Sequence, residues 1–155
     1  MSLESAKKHL KKWGKDPEII EFSSSSATVE LAAKALGVNS GRIAKTISLL
    51  GKSSPMLVVA SGDVKIDNQK FKQQFGLKAK MLKPEEVLNL IGHGIGGVCP
   101  FGVNKNVEIY LDTSLKKYPS VFPACGSSNS VIELNISELE QISGYKNWVD
   151  VCVVV

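Results

Sequence analysis

Residues 42–61, RIAKTISLLGKSSPMLVVAS, hold two apolar runs of strand length on either side of a five-residue break. Gly51-Lys52-Ser53-Ser54-Pro55 supplies turn residues, so Ile43 to Leu50 and Met56 to Ala60 are expected to form the arms of a hairpin. Val107 to Leu111, Val121 to Ala124, Val131 to Leu134 and Val149 to Val154 have the same short apolar character and read as further strands. None of these runs is long enough to cross a bilayer, which needs about 20 apolar residues in a helix.

Between the strands lie segments of helical spacing. Leu3, Ala6, Leu10 and Trp13 recur on one face behind Ser2 as a cap, and Gly14 ends the pattern. A short strand is expected at Glu18 to Phe22, followed by Ser23-Ser24-Ser25-Ser26 as a turn or cap. ATVELAAKALG then turns Val29, Ala32, Ala33 and Leu36 inward and stops at Gly37. Asp67 to Phe75 is helical up to Gly76, Lys80 to Leu82 is a short strand, and Pro84 opens the helix PEEVLNLIG with two glutamates near its positive end. Ser137 is the expected cap of SELEQIS. Helices and strands do not alternate as regular βαβ units, so a mixed α+β fold with a largely antiparallel or mixed sheet is expected, its short strands curling towards a barrel. No repeat or linker divides the chain, and residues 1–155 read as a single domain.

Charge is uneven. The net +4 arises from 15 basic and 9 acidic residues up to Asn104 against 4 basic and 6 acidic beyond it. Two clusters, Lys7 to Lys15 and Lys65 to Lys83, are therefore either solvated helix faces or surfaces for a polyanion. The lysine-studded N-terminus has no apolar segment of a secretory signal, and three widely spaced cysteines form no disulfide framework, so a reducing, cytoplasmic setting is expected. His9 and His93 lie far apart and give no zinc-ligand spacing.

Residues 92–102, GHGIGGVCPFG, hold five glycines in eleven positions. The first six match G-x-G-x-x-G, but a dinucleotide loop follows a strand and opens a helix. Here a helix precedes the glycines and Pro100 follows them, so that reading fails. What such a stretch can do is present main-chain N–H groups to an anion or an ester carbonyl. Cys99 is the rival candidate, as a nucleophile, but it would require a histidine base and a third group to orient that base. A lone cysteine among apolar neighbours is otherwise a small buried hydrophobe. Ala124-Cys125-Gly126-Ser127-Ser128-Asn129, at a strand end, is either a plain turn or a second wall for a ligand.

Lys45 is the most informative single residue. Strand alternation sets it on one face with Ile43, Ile47 and Leu49. An ammonium aimed at the core side needs a carboxylate, a phosphate or a water-filled site. The alternatives are an inward charge that protects a sheet edge, or a lysine that snorkels past the core.

The segments SSSSATVELAAKALGV, GRIAKTISLL, MLVVASGD, GGVCPFG, VEIYLD and ACGSSNSVIEL occur in one order. In that order they resemble the YbaK/ProX family, the prolyl-tRNA editing domain and its freestanding relatives, from about residue 20 to residue 152. The most specific elements are the lysine of AKT and the G-x-x-P-x-G loop, here Gly97-Val98-Cys99-Pro100-Phe101-Gly102. The resemblance implies a compact fold with a curled, mostly antiparallel mixed sheet surrounded by helices. It implies a trans-editing hydrolase that deacylates mischarged aminoacyl-tRNA by water attack, with no metal or cofactor. Lys45 would be the catalytic side chain, with Thr46, the loop from Gly97 to Gly102, and Gly126 and Ser127 holding substrate. The partner would be the aminoacylated acceptor end of tRNA, with prolyl-tRNA synthetase as a further candidate.

Editing domains inserted in synthetases often carry a histidine where this sequence has Cys125-Gly126-Ser127, so the chain looks closer to the freestanding deacylases. Cysteinyl, alanyl, seryl and threonyl esters, on tRNA(Pro) or a related tRNA, all remain open. Two other readings stand beside this one: a non-catalytic module that binds aminoacyl-tRNA or a nucleotide, and a cysteine hydrolase using Cys99.

Overall fold

The structure, a computed structural model, describes residues 2–155. Helix α1 (Ser2–Lys11) buries Ala6 and Leu10 and turns its lysines outward. After a 3-10 turn come β1 (Ile20–Glu21) and α2 (Val29–Leu36). The Thr28 hydroxyl caps α2 by accepting the Leu31 N–H, and Gly37 at φ 68° ends it. Strands β2 (Ile43–Leu50) and β3 (Pro55–Ser61) form the expected hairpin, in register from Ala44 opposite Ser61 to Leu50 opposite Pro55. Then follow β4 (Val64–Ile66), α3 (Asn68–Phe75), α4 (Pro84–Ile91), β5 (Glu108–Asp112) and β6 (Ser120–Pro123). The chain closes with β7 (Ser130–Val131), β8 (Leu134–Asn135), α5 (Ile136–Ser143), β9 (Asn147–Val149) and β10 (Cys152–Val154).

Six strands make one curled sheet in the order β8-β6-β2-β3-β5-β9, with β3 at its heart. Every residue of β3 is buried. Leu57 and Val59 face one apolar cluster with residues of α1, α4 and α5, while Met56, Val58 and Ala60 face another with Phe71 of α3. That two-sided burial is why MLVVA runs apolar without alternation. Each of the larger side chains, Met56 to Val59, contributes about 2 kcal/mol by leaving water.

Among the described residues four of the seven strand pairings are antiparallel. The three parallel pairings, β2 with β6, β3 with β5 and β5 with β9, all lie in the six-stranded sheet. Parallel neighbours need long crossover connections. The crossover from β3 to β5 carries β4, α3, α4 and the glycine stretch, which places that stretch beside the part of β2 that β6 leaves uncovered.

Several local expectations shift. The run 131–134 divides into β7 and β8, and 149–154 divides into β9 and β10 around Asp150 and Val151. Buried Asp112 holds that second break by accepting the Val151 N–H at 2.9 Å. Asn135, not Ser137, caps α5, in a reciprocal box with Glu138. The short strand at Lys80 to Leu82 is a single bridge from Met81 to Leu49.

Candidate active site

One edge of β2 is taken up by β3, and the other is covered only at its two ends. β6 lies beside Ile43 and Ala44, while Lys80–Leu82 closes the far end through Leu50 N–H to Lys80 O (2.9 Å) and Leu82 N–H to Ser48 O (3.0 Å). Between these covers a cavity of about 370 Å³ opens along the edge. Ser48 and Leu50 turn their main-chain groups to this edge, so the period-two alternation turns those of Thr46 to it as well. The Thr46 hydroxyl is buried and has no partner among the described residues.

Lys45 lines the same cavity and is half-buried. Its ammonium donates to the Val64 carbonyl, and among the described residues it makes no ion pair. An ammonium carries three donors, so two remain for a group entering the cavity. The remaining walls come from four places. They are the cap and first turns of α2 (Ser26 to Val29, Ala32), the far-end segment (Met81, Leu82, Pro84, Val87), the glycine stretch (Ile95, Gly96, Val98), and Phe122, Ala124 and Val131.

The glycine stretch reaches this wall because its backbone packs directly on its neighbours. A side chain on Gly97 would put its Cβ 2.5 Å from the Gly126 carbonyl carbon and the Ser127 nitrogen. Gly126 in turn has φ 87° and lies against the Ser2 carbonyl of α1, and Gly102 (φ 69°) lies against that of Ser5. The loops around Gly97 and Gly126 therefore meet main chain to main chain, with α1 as their floor.

Not every residue expected at the site reaches the cavity. Lys45, Thr46 and Val98 line it, and Gly97 adjoins its wall through Gly96. Cys99, Pro100 and Phe101 are buried beneath the loop, with Cys99 and Phe101 in the main apolar cluster. The Ser127 hydroxyl is engaged within its own turn by Asn129 (3.0 Å) and Ser130 (2.5 Å).

The buried pair Cys99 and His93 speaks against a cysteine nucleophile. Their Sγ and Nε2 lie 3.4 Å apart, but Nε2 also sits 2.5 Å from the Phe101 carbonyl, which only an N–H can satisfy. The nitrogen beside the sulfur therefore carries the proton and cannot accept another. Burial pushes the Cys99 thiol up to about 12 and the His93 imidazole below its usual value, so both stay neutral at physiological pH. The pair is a strut under the loop.

A protein-family model described as the aminoacyl-tRNA editing domain matches residues 23–142. The chain belongs to this family. Among its editing-domain relatives, the protein YwhH of Bacillus subtilis (strain 168), itself uncharacterized, is 54% identical over 153 residues, 98% of each chain. EbsC of Enterococcus faecalis, which carries the provisional name Cys-tRNA(Pro)/Cys-tRNA(Cys) deacylase, is 30% identical over 115 residues, 73% of this chain and 70% of the relative. A crystal structure provisionally described as a trans-editing enzyme for prolyl tRNA synthetase superposes with a TM-score of 0.86 at 30% identity, covering 97% of this chain and 96% of the other.

Within this editing-domain fold the sequence reading missed the α2 wall of the cavity. The serine run was read as a turn or cap, and Val29 and Ala32 as inward-facing core, whereas Ser26, Thr28, Val29 and Ala32 all line the cavity. The available signal was the lack of bulk at Ala27, just before the helix, and at Ala32 on it.

Proposed function

We propose that the protein is a freestanding deacylase that hydrolyses the ester of tRNA mischarged with a small amino acid, cysteine, alanine, serine or threonine, on tRNA(Pro) or a related tRNA. The observation that carries this reading is Lys45. It is a half-buried ammonium with donors to spare, at a cavity whose other side is a glycine loop packed backbone to backbone. Membership of the editing-domain family supports the same chemistry. The apolar walls from Val29, Ala32, Ile43, Phe122 and Val131 suit a short side chain and offer it no charged partner.

In the proposed reaction the oxygen of a water molecule forms a bond to the ester carbonyl carbon. The carbonyl oxygen becomes an oxyanion that Lys45 or loop N–H groups stabilise. The bond from that carbon to the ribose oxygen then breaks, and the ribose oxygen takes the water's proton, leaving free amino acid and tRNA. Among the described residues no imidazole lines the cavity, so a neighbouring ribose hydroxyl is the proposed relay for the proton. Such a protein works in the cytoplasm, beside the synthetase that makes the error, with prolyl-tRNA synthetase as the proposed partner.

The deciding experiment incubates the protein with a panel of mischarged tRNAs. Release of a small amino acid from at least one, abolished in Lys45→Ala, is the expected result. Binding of the panel without hydrolysis of any member would establish a non-catalytic carrier instead.

A further inference from the structure

Nineteen basic residues make the chain cationic, but most of its lysine clusters are partly neutralised by the fold. On α1 and the turn after it, Lys7 pairs with Glu21 and Lys15 with Glu138 and Glu18. In the next cluster Lys70 pairs with Asp150. Elsewhere Lys117 lies by Asp63 and Lys146 by Glu108. Lys65 and Lys72, in the same cluster as Lys70, make no ion pair among the described residues, and neither do Lys78, Lys80 and Lys83. The last three are all exposed, and among the described residues none takes part in an ion pair or a side-chain hydrogen bond.

Their position matters more than their number. Met81, Leu82 and Pro84, the residues between and beside them, line the cavity, and Met81 is 66% exposed at its mouth. The segment is fixed to the end of β2 by the two main-chain hydrogen bonds and the bridge already described, so its side chains project from a rigid rim. The nearest acids in sequence, Glu85 and Glu86, leave three lysines against two carboxylates from residue 78 to residue 86, and among the described residues neither acid forms an ion pair with the three. Glu86 accepts the main-chain N–H of Lys83 at 2.9 Å, and Glu85 stands exposed on the first turn of α4. No residue of α1 lines the cavity, which sets its unpaired lysines apart from this rim.

We infer that Lys78, Lys80 and Lys83 form the contact for the RNA phosphate backbone that leads into the cavity, holding the strand that carries the reacting ester. The inference rests on the deacylase reading and adds to it the surface that receives the polyanion. Compact ammonium groups on a fixed rim suit phosphates as point charges, giving affinity and orientation with no base readout. The bound strand would release condensed counterions, so affinity would fall steeply with salt.

The test compares wild type with a triple variant, Lys78→Ala, Lys80→Ala, Lys83→Ala, a charge-preserving triple to Arg, and a control triple, Lys8→Ala, Lys11→Ala, Lys12→Ala. Binding of a fluorescein-labelled tRNA(Pro) acceptor-stem hairpin ending in CCA is read by anisotropy across a salt series. In the rim variant affinity is expected to drop by a factor of about ten or more, with the slope of log K against log salt reduced by about 2 to 3. The Arg triple keeps the slope, and the α1 triple changes it by less than the rim variant does. In hydrolysis the rim variant raises KM for aminoacyl-tRNA while kcat holds. The ratio of kcat/KM for aminoacyl-tRNA to that for 3′-O-aminoacyl-adenosine, which has no phosphates, falls with it. An unchanged slope in the rim variant, or a larger change in the α1 triple, overturns the inference while leaving the deacylase reading intact. A wild-type protein that hydrolyses no aminoacyl ester but binds the hairpin through the rim would sink the deacylase reading alone.

Discussion

Gly97 and Gly94 stand three residues apart in one glycine stretch and answer to different constraints. An added Cβ at Gly97 meets backbone atoms of Gly126 and Ser127 at 2.5 Å, which no side-chain rearrangement relieves, whereas at Gly94 it meets nothing within 4 Å. Gly97→Ala is therefore expected to push the two loops apart, lowering hydrolysis by about tenfold to a hundredfold and stability by roughly 1–3 kcal/mol. Gly94→Ala should be silent in both; equal effects from the two would show that the loop contact is not what the glycines serve. Cys99→Ala removes a buried thiol and is expected to leave hydrolysis within a few-fold of wild type, against complete loss in Lys45→Ala, and a reversal of that order would reinstate the cysteine. At this scale the sequence was legible where an argument needs one strand and its period. Lys45 was assigned to the face of Ile43, Ile47 and Leu49, and Ile47 and Leu49 do pack with the second apolar cluster. What Lys45 meets, a carbonyl nineteen residues away, and what Gly97 meets, a turn near residue 126, depend on tertiary contacts that no local pattern encodes.

Caps and turns set the elements, and most of them were written locally. Gly37 and Gly76 end α2 and α3 as expected, with φ of 68° and 72°. Ser137 was the expected cap for α5, but the chain uses Asn135, because Glu138 then sits three residues on and closes the reciprocal pair. Asn135→Ala is expected to cost about 1 kcal/mol in urea unfolding, while Ser137→Ala stays near zero and neither alters hydrolysis. A larger loss from Ser137→Ala would reverse the assignment. Strand pairing was less legible than strand existence. The hairpin follows from a short turn, but nothing in VEIYLD or SVFP says that each lies parallel to its neighbour, because the long crossovers that make this possible leave no periodic trace.

The molecule as a whole stores its thiols inside: Cys99 and Cys125 in the main apolar cluster and Cys152 in the second. Burial raises all three thiols above their ordinary value of 9.0, Cys99 and Cys152 to about 12. In the unfolded chain these thiols ionise near pH 9, while in the folded protein they remain neutral well beyond it. Stability from the buried neutral form is thus complete below pH 9 and is lost as pH rises towards 12, by about 1.4 kcal/mol per thiol at pH 10. Tyr110, raised to about 12 by burial and by its hydrogen bond to Glu108, adds a loss of the same sign at higher pH. Other groups titrate in this range too, so the informative quantity is a difference between two proteins. Urea unfolding under reducing conditions at pH 8 and pH 10 gives each protein a pH-dependent loss, and in Cys99→Ala that loss is expected to shrink by about 1.4 kcal/mol relative to wild type. The same measurement checks the strut beneath the loop. An unchanged difference would mean that the Cys99 thiol ionises in the folded protein, and with it would fall the argument that a neutral Cys99 and His93 serve only to hold the glycine loop in place.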